Sequence, residues 1–439
     1  MRSAFIEKNY LVIFFSLIPI FLLTYRSWSS IILIFGCVFC IAYFIFTKNF
    51  LNATDIFSGN RKFLIAGLAM LAAPTVAVFA SSYLRSEFND YEFDSPSRFL
   101  LASVFLLFAI KTRADISKYL QYTIPIALII TFLHQIIFQQ PKLWGVDRMS
   151  TYFADPLVFG YISLTFGLIS FASINLISKD SLPLVLTKIS GFGIGIYLSI
   201  MSGSRTGWFA VPIIVVILWL DKFMASIHKI NIRHTFVLIS LATVFLVLTF
   251  TLSSTSKERL NLAFQEFSQY SWNGIASDTS TGQRITFIRI AADLLVKHPV
   301  SGVGDTARQS FDIPENVSKY ASPASIHMAL HSGFHNQIVT NAIRYGIFGG
   351  VAAIMLFFVP LLIFIHQYKK GTSMNRYNSL IGIIFTVCFF VSSLSTEVFD
   401  LKYMASFYAV MISLLCASAI SSTISSNPEL SDGLTSINT

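Results

Sequence analysis

The eighteen residues Ser30–Thr47 read SIILIFGCVFCIAYFIFT, without one charged side chain. A helix rising 1.5 Å per residue makes this run about 27 Å long, close to the roughly 30 Å hydrocarbon core of a bilayer. Working outward, eleven further apolar runs lie near 9–25, 63–83, 98–112, 119–138, 156–177, 186–203, 207–221, 235–254, 336–366, 377–396 and 404–421. The fourth and eighth runs are the shortest. Over the 439 residues, 54% are hydrophobic and 12% charged, about half the charge a soluble surface carries. These observations predict an all-α integral membrane protein with about twelve transmembrane helices. They exclude a soluble enzyme, a secreted disulfide scaffold and a nucleic-acid binder.

The runs divide the chain into residues 1–254 with nine spans, a long segment over 255–335, residues 336–421 with three spans, and a polar tail at 422–439 expected to be disordered. Residues 9–24 resemble a signal sequence, but Tyr25–Arg26–Ser27–Trp28 is no small-residue cleavage site, so they read as a retained span. The net charge of +9 is first a question of topology. With a cytoplasmic N-terminus, sixteen basic residues fall in the short cytoplasmic loops. Only Arg26, Arg85, Arg98, Lys142, Arg148, Arg205 and Lys402 fall in the short outer ones. That bias predicts both termini inside and the long segment outside. The four cysteines, Cys37, Cys40, Cys388 and Cys416, all sit in apolar runs and read as packing.

The outer cations run against the bias. Met201–Ser202–Gly203–Ser204–Arg205–Thr206–Gly207–Trp208 is too short a turn to carry its arginine far from the membrane boundary, where a charge is costly and usually functional. Arginine offers a rigid fork of donors suited to phosphate oxygens; the alternative is a snorkelling anchor. Arg148 lies in Trp144–Gly145–Val146–Asp147–Arg148–Met149–Ser150, ahead of Asp155–Pro156 and the sixth span. Arg98 follows Glu87, Asp90, Glu92 and Asp94 and has those carboxylates as alternative partners.

In the long segment, Ser280–Thr281–Gly282–Gln283–Arg284 opens a pattern through Ile285, Phe287, Ile288, Ala291, Ala292, Leu294 and Leu295 that predicts an amphipathic helix on the rim, ended by His298–Pro299. Arg284 and Arg289 face either the cavity or lipid headgroups. His327, His331 and His335 recur at i, i+4, i+8. No carboxylate accompanies them and Gly333 weakens the helix, so a metal site is the lesser reading. A histidine at the mouth of a membrane cavity can act as a general base. Gly191, Gly193 and Gly195 have no strand before them and predict close helix packing, not a nucleotide loop. Glu397 and Asp400 read as structural partners of Lys402.

The spacing His335–Asn336, nine residues, then Gly346–Ile347–Phe348–Gly349 resembles the motif of the O-antigen ligase family, within the wider group that includes O-antigen polymerases and protein O-oligosaccharyltransferases. Ser204–Arg205–Thr206–Gly207–Trp208, Arg148, Gly282–Gln283–Arg284 and His298–Pro299–Val300–Ser301–Gly302–Val303–Gly304 are also similar to that family's pattern. The resemblance implies a GT-C-like glycosyltransferase of the bacterial inner membrane, multi-pass, with a periplasmic active site. It would pass a glycan from undecaprenyl pyrophosphate to a sugar hydroxyl of lipid A-core, inverting the anomeric centre, with no metal or cofactor. Its partners are that donor, that acceptor and membrane lipids. On this reading His335 is the general base, Arg205, Arg148, Arg284 and Arg98 hold the pyrophosphate, and Asn336 and His331 support, Asn336 orienting the imidazole or the sugar. A polymerase with the same chemistry and a non-catalytic polysaccharide or lipid transporter are the alternatives.

Overall fold

The computed structural model describes residues 12–47, 61–138, 148–175, 179–205, 207–225, 261–262, 264–305, 313–370 and 373–424. Among them there is no strand. The helices are α1 (Trp28–Thr47), α2 (Arg61–Arg85), α3 (Asp94–Thr112), α4 (Ser117–Ile137), α5 (Pro156–Ala172), α6 (Leu182–Met201), α7 (Ala210–Ala225), α8 (Ser280–Lys297), α9 (Pro323–Ser332), α10 (Gln337–Lys369), α11 (Ser373–Ser393) and α12 (Lys402–Ile424). Among the described residues, eight helices are long and apolar enough to cross a membrane, which makes this a multi-pass membrane protein.

The expected spans fare differently. The ninth, 235–254, and the tail after Ile424 lie outside the described residues. The sixth and eighth form shorter apolar helices, Pro156–Ala172 and Ala210–Asp221. Among its described residues the first is helical over 12–16 and then winds through turns with i→i+3 bonds such as Ile20 N–H to Leu17 and Leu22 N–H to Pro19. Pro19 has no N–H and cannot join an α-helical ladder, which accounts for the break.

The core is built around α12, whose residues from Tyr403 to Ser421 are all buried. A helix apolar on every side belongs at the centre of a bundle. It packs against α3, α11, α1, α10 and α2. Its Tyr408 lies among Phe99, Phe357, Phe385, Phe389 and Phe399, and sends its hydroxyl to Leu356 O at 2.7 Å, so the one polar atom of a buried ring is satisfied. The tightest pair is α5 with α6. A Cβ on Gly195 would fall 2.8 Å from Gly167 Cα, and one on Gly191 2.7 Å from Pro125, as close packing requires; Gly193 faces open space. All four cysteines are buried and free.

Between α7 and α10 the chain forms a second, smaller core. Phe287, Ile290, Ala291 and Leu294 of α8 close on Val303, Val317, Ala321, Ala329, Phe334 and Ile343. The amphipathic pattern is real, and α8 ends at His298 as its sequence predicts, but Ile288 stays exposed. Helices α3, α5, α10 and α12 begin, and α2, α4, α6 and α11 end, at one end of the bundle. Arg98, Arg148 and Asn336, which bond Ser406, Ser202 and Leu394, lie at that end.

Candidate active site

His335 sits between two helices in a left-handed conformation, φ 52°, unusual for a residue with a side chain. Helix α9 stops at Ser332, so the three histidines do not form a continuous stripe. His327 and His331 stack at 4.0 Å between ring centroids, and His331 Nδ1 lies 3.0 Å from the His327 carbonyl. Asn336 begins α10 as its N-cap: its Oδ1 accepts from Ile338 and Val339 N–H at 3.0 and 3.1 Å, and its Nδ2 approaches Leu394 O at 3.4 Å. Its amide is thus committed to the helix end, which leaves the imidazole to another partner.

That partner is Glu397, in the connection between α11 and α12, with Oε2 3.6 Å from His335 Nδ1. The other carboxylate oxygen accepts from Thr340 Oγ1 at 2.9 Å, and Thr340 in turn accepts the Phe334 N–H at 3.1 Å. Burial alone would raise the Glu397 pKa, but His335 and the Thr340 hydroxyl outweigh it and hold the carboxyl below the usual carboxylate range. Gly333 makes room for this group, since a Cβ there would lie 2.6 Å from Glu397 Oε1. On its other flank the imidazole meets Phe287 of α8, centroids 5.6 Å apart. A carboxylate at Nδ1 favours the tautomer with its proton there, so Nε2 carries the lone pair. The side chain is 31% exposed, enough for a substrate to reach it.

The glycines of the sequence motif have a backbone role. Helix α10 kinks at Tyr345–Gly346, where Gly346 has φ 62°. The carbonyls there are taken by the turn after α8: Val303 N–H bonds Ile343 O and Gly304 N–H bonds Arg344 O, both at 2.9 Å, while Ile347 N–H bonds Pro299 O at 2.9 Å. A Cβ on Gly346 would fall 2.0 Å from Val300 O, so only glycine permits this approach. The kink sets residues 337–344 apart from the spanning part of α10. Arg344 Nη1 meets Asp400 Oδ2 at 2.8 Å, and burial nonetheless leaves the Asp400 pKa above its ordinary value. Glu397 and Asp400 therefore belong to His335 and Arg344, not to Lys402, which pairs with Asp94. Beside them lies a polar cavity of about 270 Å³ bordered by Gln337, Asn341, Arg344, Asp305 and Asp400.

The arginines separate into three situations. Arg148 Nε donates to Ser202 O at 3.0 Å, and Met149 N–H bonds Met201 O at 2.9 Å, so Arg148 is drawn onto the turn that ends in Arg205. That segment reaches the start of α12 through Phe153 against Tyr403, 5.3 Å between centroids, four residues before which stands Phe399 of the Glu397 connection. Arg284 is exposed near the start of α8, three residues from the Phe287 that touches His335. Arg98 does not join them. It pairs with Asp94 at 3.0 Å and donates to Ser30 and Ser406 at 3.0 and 2.8 Å, clamping α1, α3 and α12. An acid four residues earlier on the same helix turn is the nearer partner, and it takes the fork that the sequence reading had offered to a ligand.

The chain is thus a multi-pass helical membrane protein with a histidine–carboxylate pair and an arginine-bearing turn at one end of its bundle. Residues 191–354 match the family model described as O-Antigen ligase. The matched stretch holds Arg205, Arg284, His331, His335 and Asn336; Arg98, Arg148 and Glu397 lie outside it. A relative in Haemophilus influenzae, an uncharacterized protein, is 25% identical over 301 residues, covering 67% of this chain and 72% of its own.

Proposed function

We propose that the protein is an O-antigen ligase that transfers a glycan from undecaprenyl pyrophosphate to a sugar hydroxyl of lipid A-core at the periplasmic face of the bacterial inner membrane, with both termini cytoplasmic. The observation that carries this reading is the buried Glu397 held against His335 at the head of α10, inside or beside the stretch that matches the family. His335 Nε2 accepts the proton of the attacking hydroxyl as its oxygen bonds the anomeric carbon. The bond from that carbon to the pyrophosphate oxygen breaks from the opposite face, so the centre inverts. Glu397 fixes the imidazole and offsets its positive charge, the part a carboxylate plays behind a histidine base in hydrolases. Arg205, Arg148 and Arg284 hold the pyrophosphate as charge collects on it. They supply the positive charge a divalent ion would bring, so the reaction needs no metal. His331 and Asn336 act indirectly, through the end of α9 and the start of α10. Arg98 fastens helices.

The test is transfer by purified protein in detergent with chelator present, using lipid-linked glycan as donor and lipid A-core as acceptor. Wild type forms product on lipid A-core, and His335→Ala loses on the order of 10²–10⁴ in rate, the range of general-base catalysis. Longer chains on the undecaprenyl carrier would make the protein a polymerase with the same site. Activity that disappears with chelator and returns with zinc would overturn the arginine-only reading.

A further inference from the structure

Helix α8 presents a second built surface. Phe287 and Leu294 face inward, toward His335 and the small core. Arg289 and Asp293 project on the other side of the helix into an open cleft of about 400 Å³, closed by Trp272, Asn316, Lys319 and Tyr320. Its planar groups are locked in place. The Arg289 guanidinium lies 4.0 Å from the Tyr320 ring centroid and about 6 Å from the rings of Trp272 and Tyr270, at 5.9 and 6.0 Å. Its Nη1 also donates to the Tyr270 hydroxyl at 3.3 Å. Asp293 is fixed by Asn316 Nδ2 at 2.9 Å and the Tyr320 hydroxyl at 2.6 Å. Both bonds fall on Oδ2, which leaves Oδ1 its lone pairs for a ligand among the described residues.

The lining selects a chemical class. A carboxylate in the wall opposes a phosphate, and Arg289 and Lys319 oppose a cation. Charges on every side oppose a lipid chain. A sugar ring matches, because it has flat faces of C–H groups and a rim of hydroxyls that both donate and accept. Trp272, 58% exposed, offers an indole face for stacking. Arg289, Asp293, Asn316 and Lys319 offer donors and acceptors for the rim.

We propose that this cleft is a glycan-binding subsite that holds a sugar unit of the donor's polysaccharide away from the end being transferred. The subsite rests on the proposed transferase reading for its role, and on the cleft alone for its binding. A helix is about 10–12 Å across with its side chains, so the cleft lies one helix thickness from His335, a distance a polysaccharide bridges by continuing around α8.

The experiment measures binding of soluble polysaccharide, released by mild acid from the host's own lipopolysaccharide, to the purified full-length protein by saturation-transfer NMR and calorimetry. Wild type and His335→Ala bind alike. Trp272→Ala weakens binding on the order of tenfold, and Trp272→Phe, which keeps an aromatic face, restores most of it. Trp272 is exposed, so the alanine variant folds, as an unchanged melting temperature will confirm. No binding by wild type, or equal binding by Trp272→Ala, overturns the subsite. Loss of anionic phospholipid vesicle binding in Trp272→Ala with glycan binding intact also overturns it and makes the cleft a headgroup anchor. Glycan binding without any transfer leaves the subsite standing and sinks the transferase reading.

Discussion

The two ends of the bundle both bury charge, and they bury it differently. At the end where α6 and α11 begin, Lys188 is fully enclosed and saturated: its ammonium donates to Asp180 at 2.8 Å, Gln121 at 3.0 Å and Ser173 O at 2.8 Å. Nearby, Asp221 accepts from Tyr368 at 2.7 Å and from Arg376 at 2.6 Å. Three donors on one ammonium, all with partners, leave nothing for a ligand. At the other end His335 is partly open, its contact with Glu397 is 3.6 Å long, and that contact is made through Nδ1, leaving Nε2 without a bond among the described residues. Saturated charge fastens helices, whereas charge held on one side only is available for chemistry.

The largest effect that would break this contrast is at the saturated end. Lys188→Ala removes the cation and leaves Asp180 buried without it, a loss of about 3–5 kcal/mol in the usual range for a broken buried pair. Thermal denaturation in detergent will show a lower melting temperature. Whatever protein remains folded keeps its specific transfer rate. A variant with normal stability and lost transfer would mean that Lys188 serves the reaction and that saturation is no guide.

Arg205 and Arg98 sharpen the same contrast within one end. On the proposed mechanism, Arg205→Ala removes a charge that holds the leaving group and lowers the transfer rate per folded molecule about 10²–10³-fold, as for the loss of one preorganised donor. Arg98→Ala cuts the clamp on Asp94, Ser30 and Ser406 and shows the converse: reduced melting temperature, with transfer per folded molecule retained. Equal losses of rate in both would return Arg98 to the substrate.

What could be read from the chain follows the range of the interactions. Long apolar runs announced themselves because a bilayer imposes a length, and Gly191 and Gly195 were legible because a glycine in an apolar helix has few uses besides close approach. The Asp94–Arg98 pair sits at i, i+4 and was visible as an alternative. Glu397 was not, since its partner lies 62 positions earlier in the connection between α9 and α10 and no local pattern joins them. Trp272 and Tyr320 meet Arg289 only after two loops and α8 have folded together. Asn336 could have been recognised: an asparagine directly before a long apolar helix is a cap first.

Asn336 therefore gives a smaller, separable effect. Asn336→Ala frees two N–H groups of α10 and costs about 1 kcal/mol, typical of a lost cap. Asn336→Asp keeps an acceptor oxygen and restores both stability and transfer. If aspartate restores stability and not transfer, the amide touches the sugar and its role exceeds capping.

The smallest expected effect is a pH dependence in which neighbouring carboxylates act with opposite sign. The Glu397 pKa is held below its unfolded value, near 4.3 for a glutamate, so the native state binds fewer protons and stability rises with pH through that window. Its contribution is present above the unfolded pKa and is lost as pH falls through the folded one. The Asp400 pKa is raised, so its native state binds protons first and acidification relieves the cost of burying its charge. The wild-type melting temperature thus changes less between about pH 6 and 4 than Glu397 alone would dictate. Glu397→Gln removes the acid-destabilising slope and exposes the stabilising one. Asp400→Asn does the reverse, with a lower plateau because Arg344 loses its partner. Parallel profiles in all three proteins would show that neither carboxylate changes its proton affinity on folding, and Glu397 would then be no more than a spacer beside His335.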